Sequence, residues 1–428
     1  MDNLKLGARN LLKKSEVFFK TDMVYVGQSG FWLGLGQAFY ALIAFTSSLF
    51  FANLISKDIY GNYKFIIATT SILAGLSLTG MGSVVTQGVA QGFEGILKNA
   101  VRSTLRFGSI IVLVALCIST YYFIHGNNIL GFSMLIAGLS LPLSQAFTLY
   151  GNYLMGKKEF QKVTLYATGS QLLNTFGLII VAILTKNIVF MVLIYFALNT
   201  LSTIWAYKHT LKLFHVSDTH DHTLIPYGKH LSVMGFFGTV ANQFDKILIF
   251  HYLGAFQLAV YAFAQAIPDQ AKGVLKSIFN LAIPKYAELS EEDMRKSIMN
   301  KFAQLTALTA LGILLYILTA KFIFAILFPK YLEAVFYSEI YILGLITIPG
   351  ISLFAIYFQL KKATKKMYEL NLIGNISTLI ITFVFIYKFK LEGAVIANCL
   401  SWLVILLIHW FYFLRDKSSH EKTPELYV

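Results

Sequence analysis

The stretch NQFDKILIFHYLGAFQLAVYAFAQAIPDQAKGVLKSIFN, Asn242 to Asn280, decides the fold. It is two long apolar runs on either side of Gly254, and they carry five charges: Asp245, Lys246, Asp269, Lys272 and Lys276. A charged side chain near the centre of a membrane helix costs about 2.5 to 3.5 kcal/mol on insertion scales, so it faces a cavity or a partner rather than lipid. The five charges therefore point to a polar site inside a membrane protein.

The rest of the chain supports the membrane reading. Hydrophobic residues make up 57% and charged residues 13% of the 428, with a mean hydropathy of +0.65; soluble domains are about a quarter charged. Apolar runs long enough to cross a hydrocarbon core of about 30 Å recur at 29–55, 65–90, 107–125, 129–155, 163–185, 188–207, 231–253, 258–284, 302–320, 334–358, 369–387 and 393–414. None alternates in polarity over the roughly 9 to 11 residues of a barrel strand. The expected fold is all-α, with twelve transmembrane helices.

The net charge of +14 gives the topology. Twenty-five of the 35 Lys and Arg fall on the N-terminus, the even-numbered loops and the C-terminal tail; seven fall on the odd-numbered loops and three inside spans. By the positive-inside rule both termini are cytoplasmic. No signal peptide precedes the first span, and residues 1–27 are expected to stay in the cytoplasm, as an amphipathic surface helix. No aromatic-basic groove accompanies the charge, which excludes nucleic acid as partner.

The organisation expected is an N-terminal lobe over 1–208, a cytoplasmic linker over 209–230 and a C-terminal lobe over 231–428. A sparse repeat supports it: FANLISKDIYGNYKF (Phe51 to Phe65) aligns with FHYLGAFQLAVYAF (Phe250 to Phe263), pairing Phe51 with Phe250, Leu54 with Leu253 and Tyr63 with Tyr261. Two copies of a six-helix unit suit alternating access about a central site.

Four passages carry a family resemblance: YGNYKFIIATTSILAGLSLTGMG after the first span, NQFDKILIFHYLGAFQLAVYAFAQAIP across spans seven and eight, AILFPKYLEA after the ninth, and LEGAVIANCLSW entering the twelfth. In their order and spacing the chain resembles the Wzx-type polysaccharide flippases of the multidrug/oligosaccharidyl-lipid/polysaccharide (MOP) superfamily. The resemblance implies two six-helix lobes around a central cavity in a bacterial cytoplasmic (inner) membrane. It also implies movement of polyprenyl-pyrophosphate-linked oligosaccharide from the cytoplasmic to the periplasmic leaflet, for O-antigen, capsule or exopolysaccharide synthesis. Lipid-linked oligosaccharide, membrane lipids and other polysaccharide assembly proteins are the partners it suggests. Pro329, where relatives commonly have glycine, predicts a changed turn.

On a helical wheel Gln265, Asp269, Lys272, Lys276 and Asn280 fall within about 80°, and Gly235, Gly238, Asn242, Asp245 and Lys246 share an arc of about 100°. If the two faces meet they form a wet, net-positive site. Lys246, Lys272, Lys276, Gln265 and Asn242 are the candidate substrate-binding residues; lysine holds phosphate as a mobile point charge, where arginine would clamp it. Asp245 and Asp269 are the candidates for coupling to H+ or Na+. The competing reading is that the aspartates and lysines form internal ion pairs that fix helix packing.

The remaining polar features carry less. Gln37, Asn53, Gln87, Gln145, Asn152, Gln171 and Asn174 either contact sugar or join helices. Tyr121, Tyr122, Tyr150, Tyr153, Trp205, Trp402 and Trp410 read as interfacial anchors, and Gly30, Gly34, Gly75, Gly80 and Gly82 as close-packing or hinge positions. The His/Asp-rich HVSDTHDH stretch, from His215 to His222, reads as polar linker rather than a metal site. No cofactor, metal site or nucleophile-base constellation is expected, so the chain is not read as an enzyme. Two alternatives stay open: a multidrug or other small-molecule antiporter of the same superfamily, whose cavity would favour carboxylates, and a membrane glycan polymerase or ligase, which would need larger extramembrane regions than these loops provide.

Overall fold

The computed structural model describes residues 23–214 and 224–416. The stretch expected to form the amphipathic N-terminus, apart from its last residues, and the whole HVSDTHDH stretch lie outside them. Fourteen α-helices form among the described residues: α1 (Met23–Leu54), α2 (Lys57–Gly75), α3 (Met81–Ala90), α4 (Ile96–Ile124), α5 (Asn128–Phe147), α6 (Leu149–Gly156), α7 (Phe160–Leu184), α8 (Ile188–Phe214), α9 (Leu224–Leu253), α10 (Ala255–Ala287), α11 (Glu291–Leu327), α12 (Ala334–Leu343), α13 (Ile348–Leu360) and α14 (Thr364–Arg415).

All twelve predicted spans fall on these helices. The second is broken between α2 and α3, the fourth at Thr148, and the tenth by a 3-10 turn at Gly344–Thr347. Spans eleven and twelve make up α14, whose 52 residues would reach about 78 Å as one straight helix at 1.5 Å per residue. Lys390 interrupts it with φ 52° and ψ −128°, and a Cβ on Gly393 would sit 2.0 Å from the Phe385 carbonyl oxygen. The chain reverses there, at a glycine that no larger residue could replace. Pro329 opens a 3-10 turn, Pro329–Tyr331.

Eight helical stretches among the described residues are long and apolar enough to cross a membrane. The charged helices α9 and α10 are not among them, and neither is the broken α2–α3. Outward-facing leucines mark lipid contact: on α11, Leu311, Leu315, Leu318 and Phe322 are exposed while Ile313, Tyr316, Ala320 and Phe324 are buried. Such a helix gains no hydrophobic energy from its lipid face and is held by close packing. Gly80 and Gly82 serve that packing; their Cβ positions would lie 2.4 Å from Gly228 O and 2.9 Å from Asn152 Nδ2. Gly30 and Gly34, by contrast, have open space around them.

By compactness the chain divides into Met1–Gln243 and Phe244–Val428. One arrangement occurs in each unit. In the first, the Tyr153 hydroxyl donates to Glu94 Oε2 at 3.1 Å, Lys157 pairs with the same carboxylate, and the Phe214 ring meets Tyr153 edge-on at 5.9 Å. In the second, the Tyr357 hydroxyl lies 3.2 Å from Glu291 Oε1, Lys361 Nζ donates to that oxygen at 2.5 Å, and Phe413 meets Tyr357 edge-on at 4.9 Å. The second clasp also takes in Asp416, which accepts from Lys361 at 2.8 Å and from Lys366.

The agreement extends to the backbone. Tyr153, Lys157, Lys158 and Lys186 recur at one constant offset as Tyr357, Lys361, Lys362 and Lys390, and among the described residues Lys158, Lys186, Lys362 and Lys390 are the non-glycine ones with positive φ. A left-handed conformation is costly for a side chain-bearing residue, so its recurrence at matched positions is a stronger sign of duplication than matched apolar letters.

Candidate functional site

The charged stripe of α10 forms because Gln265, Asp269, Lys272 and Lys276 are spaced by three or four residues and so share a face. Gln265 is buried, Lys272 half-buried and Lys276 exposed. Three further helices close around the buried end of this stripe: α9 brings Asp245 and Lys246, α12 brings Tyr341, and α14 brings Asn398 and Trp402, which share a face four residues apart.

Asp245 is the most enclosed charge, 6% exposed. Its Oδ2 accepts a 2.6 Å hydrogen bond from the Tyr261 hydroxyl, its Oδ1 a 2.8 Å bond from the Lys246 backbone N–H, and Lys246 Nζ lies 3.5 Å from Oδ1. Asn398 Nδ2 donates to the Tyr261 oxygen at 2.7 Å. A buried carboxylate is tolerable only with such partners, so this network ties α9, α10 and α14 together.

Lys272 sits differently. Its ammonium lies 4.0 Å from Asp269 Oδ1 and 4.3 Å from the centre of the Trp402 ring. Asp269 Oδ1 already accepts from the Tyr341 hydroxyl at 3.0 Å, and Tyr341 meets Trp402 edge-on at 5.2 Å. The indole face and the carboxylate position the cation by charge, without a hydrogen bond among the described residues. Its three N–H donors therefore remain available to an anion. Lys276, one turn further along, has no ion pair among the described residues. Asp245, Asp269, Lys246 and Lys276 all act electrostatically on Lys272, so the five charges form one cluster with a net positive balance.

The structure thus brings together Lys246, Lys272, Lys276, Gln265, Asp245 and Asp269. Asn242 is exposed and falls in the other compact unit, and the Asn280 side chain lies outside the described residues. Four partners of the cluster escaped the sequence reading: Tyr261, Tyr341, Asn398 and Trp402. Trp402 reads from sequence as an interfacial anchor, yet it packs on Lys272; Tyr150 and Tyr153 are likewise core residues, 7% and 0% exposed. The lysine stripe was the available signal for Trp402, because a cation spaced inside an apolar helix calls for a carboxylate or an aromatic face opposite it. Asn152 joins helices, with its amide 3.4 Å from Thr86 Oγ1.

The described residues thus form a multi-span helical bundle that holds a cluster of ions within its second unit. Solved structures with this fold include the lipid II flippase MurJ in an inward closed conformation (TM-score 0.69, 14% identity, 89% of this chain and 86% of that one). Another is an inward-facing multidrug resistance MATE family transporter of the MOP superfamily (0.65, 13%, 88% and 94%). A third is a MOP superfamily transporter from Pyrococcus furiosus, whose reverse binding-pocket polarity is described as suggesting a different function (0.61, 12%, 91% and 94%). A search of curated protein sequences gives no match. The chain belongs to the polysaccharide biosynthesis protein family, whose sequence model matches residues 26–290.

Proposed function

We propose that this protein is a Wzx-type flippase, which carries polyprenyl-pyrophosphate-linked glycan repeat units from the cytoplasmic to the periplasmic leaflet of a bacterial inner membrane by alternating access. One observation carries the reading: Lys272 is held over Trp402 and beside Asp269 with its donors unspent, in a cluster of three lysines and two aspartates. A pyrophosphate must lose water to cross, and mobile ammonium groups replace that water while still permitting release. Membership of a polysaccharide biosynthesis family and the likeness in fold to a lipid II flippase support a lipid-linked substrate. The lysine and arginine bias of the loops supports cytoplasmic termini.

The likeness in fold to MATE transporters favours a second reading, a multidrug antiporter; the cationic balance weighs against it, because drug cations call for carboxylates. Expression in cells lacking their own flippase should restore surface glycan. Lys272→Glu should abolish that export at near-normal protein level. Failure with every lipid-linked oligosaccharide offered, together with drug efflux, would replace the flippase by the antiporter, and export retained by Lys272→Glu would remove Lys272 from the site.

A further inference from the structure

A second feature lies in the first unit, away from the ion cluster. Between α7 and α8 is a half-open cavity of about 390 Å³, within the size range of small-molecule sites. Leu165, Gly169 and Leu173 line it from α7, and Leu201 and Trp205 from α8. Its two serine hydroxyls are engaged with each other and with the backbone: Ser202 donates to the Asn199 carbonyl at 2.9 Å and stands 2.6 Å from Ser170. The exposed lining is almost wholly apolar. Both helices are long and apolar enough to span a membrane, and Leu165, Leu173, Leu201 and Trp205 are exposed on them.

The two lining stripes change character along their length. On α7 the succession Leu173, Gly169, Leu165 and Tyr166 runs on to Lys162 at the helix start; on α8, Leu201 and Trp205 run on to His209 and Lys212 at the helix end. The aromatic end is tightly organised, with Trp205 stacked on His209 at 5.2 Å and Tyr166 edge-on to Trp205 at 5.5 Å. Lys162 pairs with Glu159 at 2.9 Å. An apolar slot that ends in aromatic and cationic side chains matches an anionic amphiphile with one long tail. The positive-inside rule puts that charged end in the cytoplasmic leaflet.

Gly169 shows that the slot is space rather than loose packing. A Cβ there would find no atom within 4 Å. Elsewhere on the same helix Gly177 is packed tightly, its Cβ position 2.3 Å from Leu198.

We propose that this groove holds the polyprenyl tail of the lipid carrier, with the carrier phosphate at the Lys162, His209 and Lys212 end. The proposal rests on the flippase reading for the identity of the lipid. The groove is a lateral docking site that concentrates the carrier at the cytoplasmic leaflet, separate from the ion cluster that receives the pyrophosphate.

The test uses the full-length protein in nanodiscs with a diazirine-bearing polyprenyl phosphate, beside a diazirine-bearing phosphatidylglycerol at the same mole fraction. Mass spectrometry should map the prenyl label to the segments around Leu165–Leu173 and Leu201–Trp205, several-fold above the phosphatidylglycerol label. Gly169→Leu places a Cβ in open space and its side chain in the slot, and should reduce prenyl labelling at least fivefold while leaving the thermal transition in place. Lys212→Gln should narrow the preference between the two lipids. Equal labelling by both lipids would identify ordinary boundary lipid and overturn the proposal, as would prenyl labelling unchanged in Gly169→Leu. Selective labelling in a protein that exports no lipid-linked glycan would sink the flippase reading and leave the groove standing. Export by a protein whose groove labels both lipids equally would do the reverse.

Discussion

Replacing Tyr261 by phenylalanine tests whether the Asp245 network holds the second unit together. The ring is fully buried and its shape is kept, so the change removes only an oxygen that donates to Asp245 at 2.6 Å and accepts from Asn398 at 2.7 Å. Hydrogen bonds between membrane helices average about 0.6 kcal/mol and reach about 1.7. The Asp245 bond is charge-assisted and buried, which puts it toward the upper limit. Two lost bonds give about 1 to 3 kcal/mol. In a domain of about 150 to 250 residues each kcal/mol moves the midpoint by about 2 to 4 °C, so the transition in detergent should fall by about 2 to 12 °C.

Tyr63, its counterpart in the internal repeat, is a built-in control. It too is buried, 7% exposed, but its hydroxyl makes no hydrogen bond among the described residues. Tyr63→Phe should therefore stay within about 0.5 kcal/mol of the parent. A thermal-shift assay on both variants decides the matter: equal shifts, or no shift for Tyr261→Phe, would mean that the network contributes nothing beyond ring packing. Combining Tyr261→Phe with Asn398→Ala should cost less than the sum of the two, since they share one bond.

The two clasps should respond unequally to loss of their glutamates. Glu94→Gln leaves Lys157 without a carboxylate among the described residues, whereas Glu291→Gln leaves Lys361 its 2.8 Å contact with Asp416, so the first should destabilise by about 1 kcal/mol more in the same assay. The second clasp also predicts a pH profile. Burial opposes the charge on Asp416, but hydrogen bonds from Lys361, Lys366 and Tyr357 together hold its carboxyl below the ordinary value. Burial likewise works against the Lys361 cation, and its bonds to Asp416 and Glu291 overcome that and raise its pKa. A depressed acid stabilises above its unfolded value and loses the effect as pH falls through the folded one; a raised base stabilises below its unfolded value and loses it as pH rises. The stability gap between parent and Asp416→Asn should thus be flat from about pH 5 to 9 and close below about pH 4. Finally, Gly344→Ala would bring a Cβ to 2.6 Å from the Trp402 ring and push the indole off Lys272; glycan export should drop with every charge still present.

Twelve spans and five intramembrane charges were legible because both follow from one-dimensional patterns: apolar run length, and ions where ions are costly. The partners of those charges were not legible. Tyr261 lies in an apolar run, Tyr341 two residues beyond Glu339 in a separate span, and Asn398 and Trp402 well over a hundred residues from the charges they meet. Pairings of that kind are made by helix packing, which leaves no mark in a local window. Asn242 shares the wheel arc of Asp245 one helical turn away and is exposed. Distance from a span end bears on the depth of Trp402 but not on its direction, so the contact with Lys272 was not legible.

The repeat separates scaffold from specificity. The tyrosine-lysine-glutamate clasp and the left-handed lysines occur in both units, so they serve what both units need: fixing loop ends. A feature present twice cannot by itself give the protein a preferred end or a preferred charge. The ion cluster belongs to the second unit alone; the first has no ionisable residue within its spans, and Tyr63, where the repeat puts Tyr261, has no aspartate to bind. The groove proposed for the prenyl tail lies in the first unit, with Trp205 and Gly169 on helices whose repeat counterparts make up α14. A lipid-linked glycan has two chemically unlike parts, an anionic headgroup and an apolar tail. A duplicated scaffold whose halves have diverged can assign one part to each, which a symmetric pair could not.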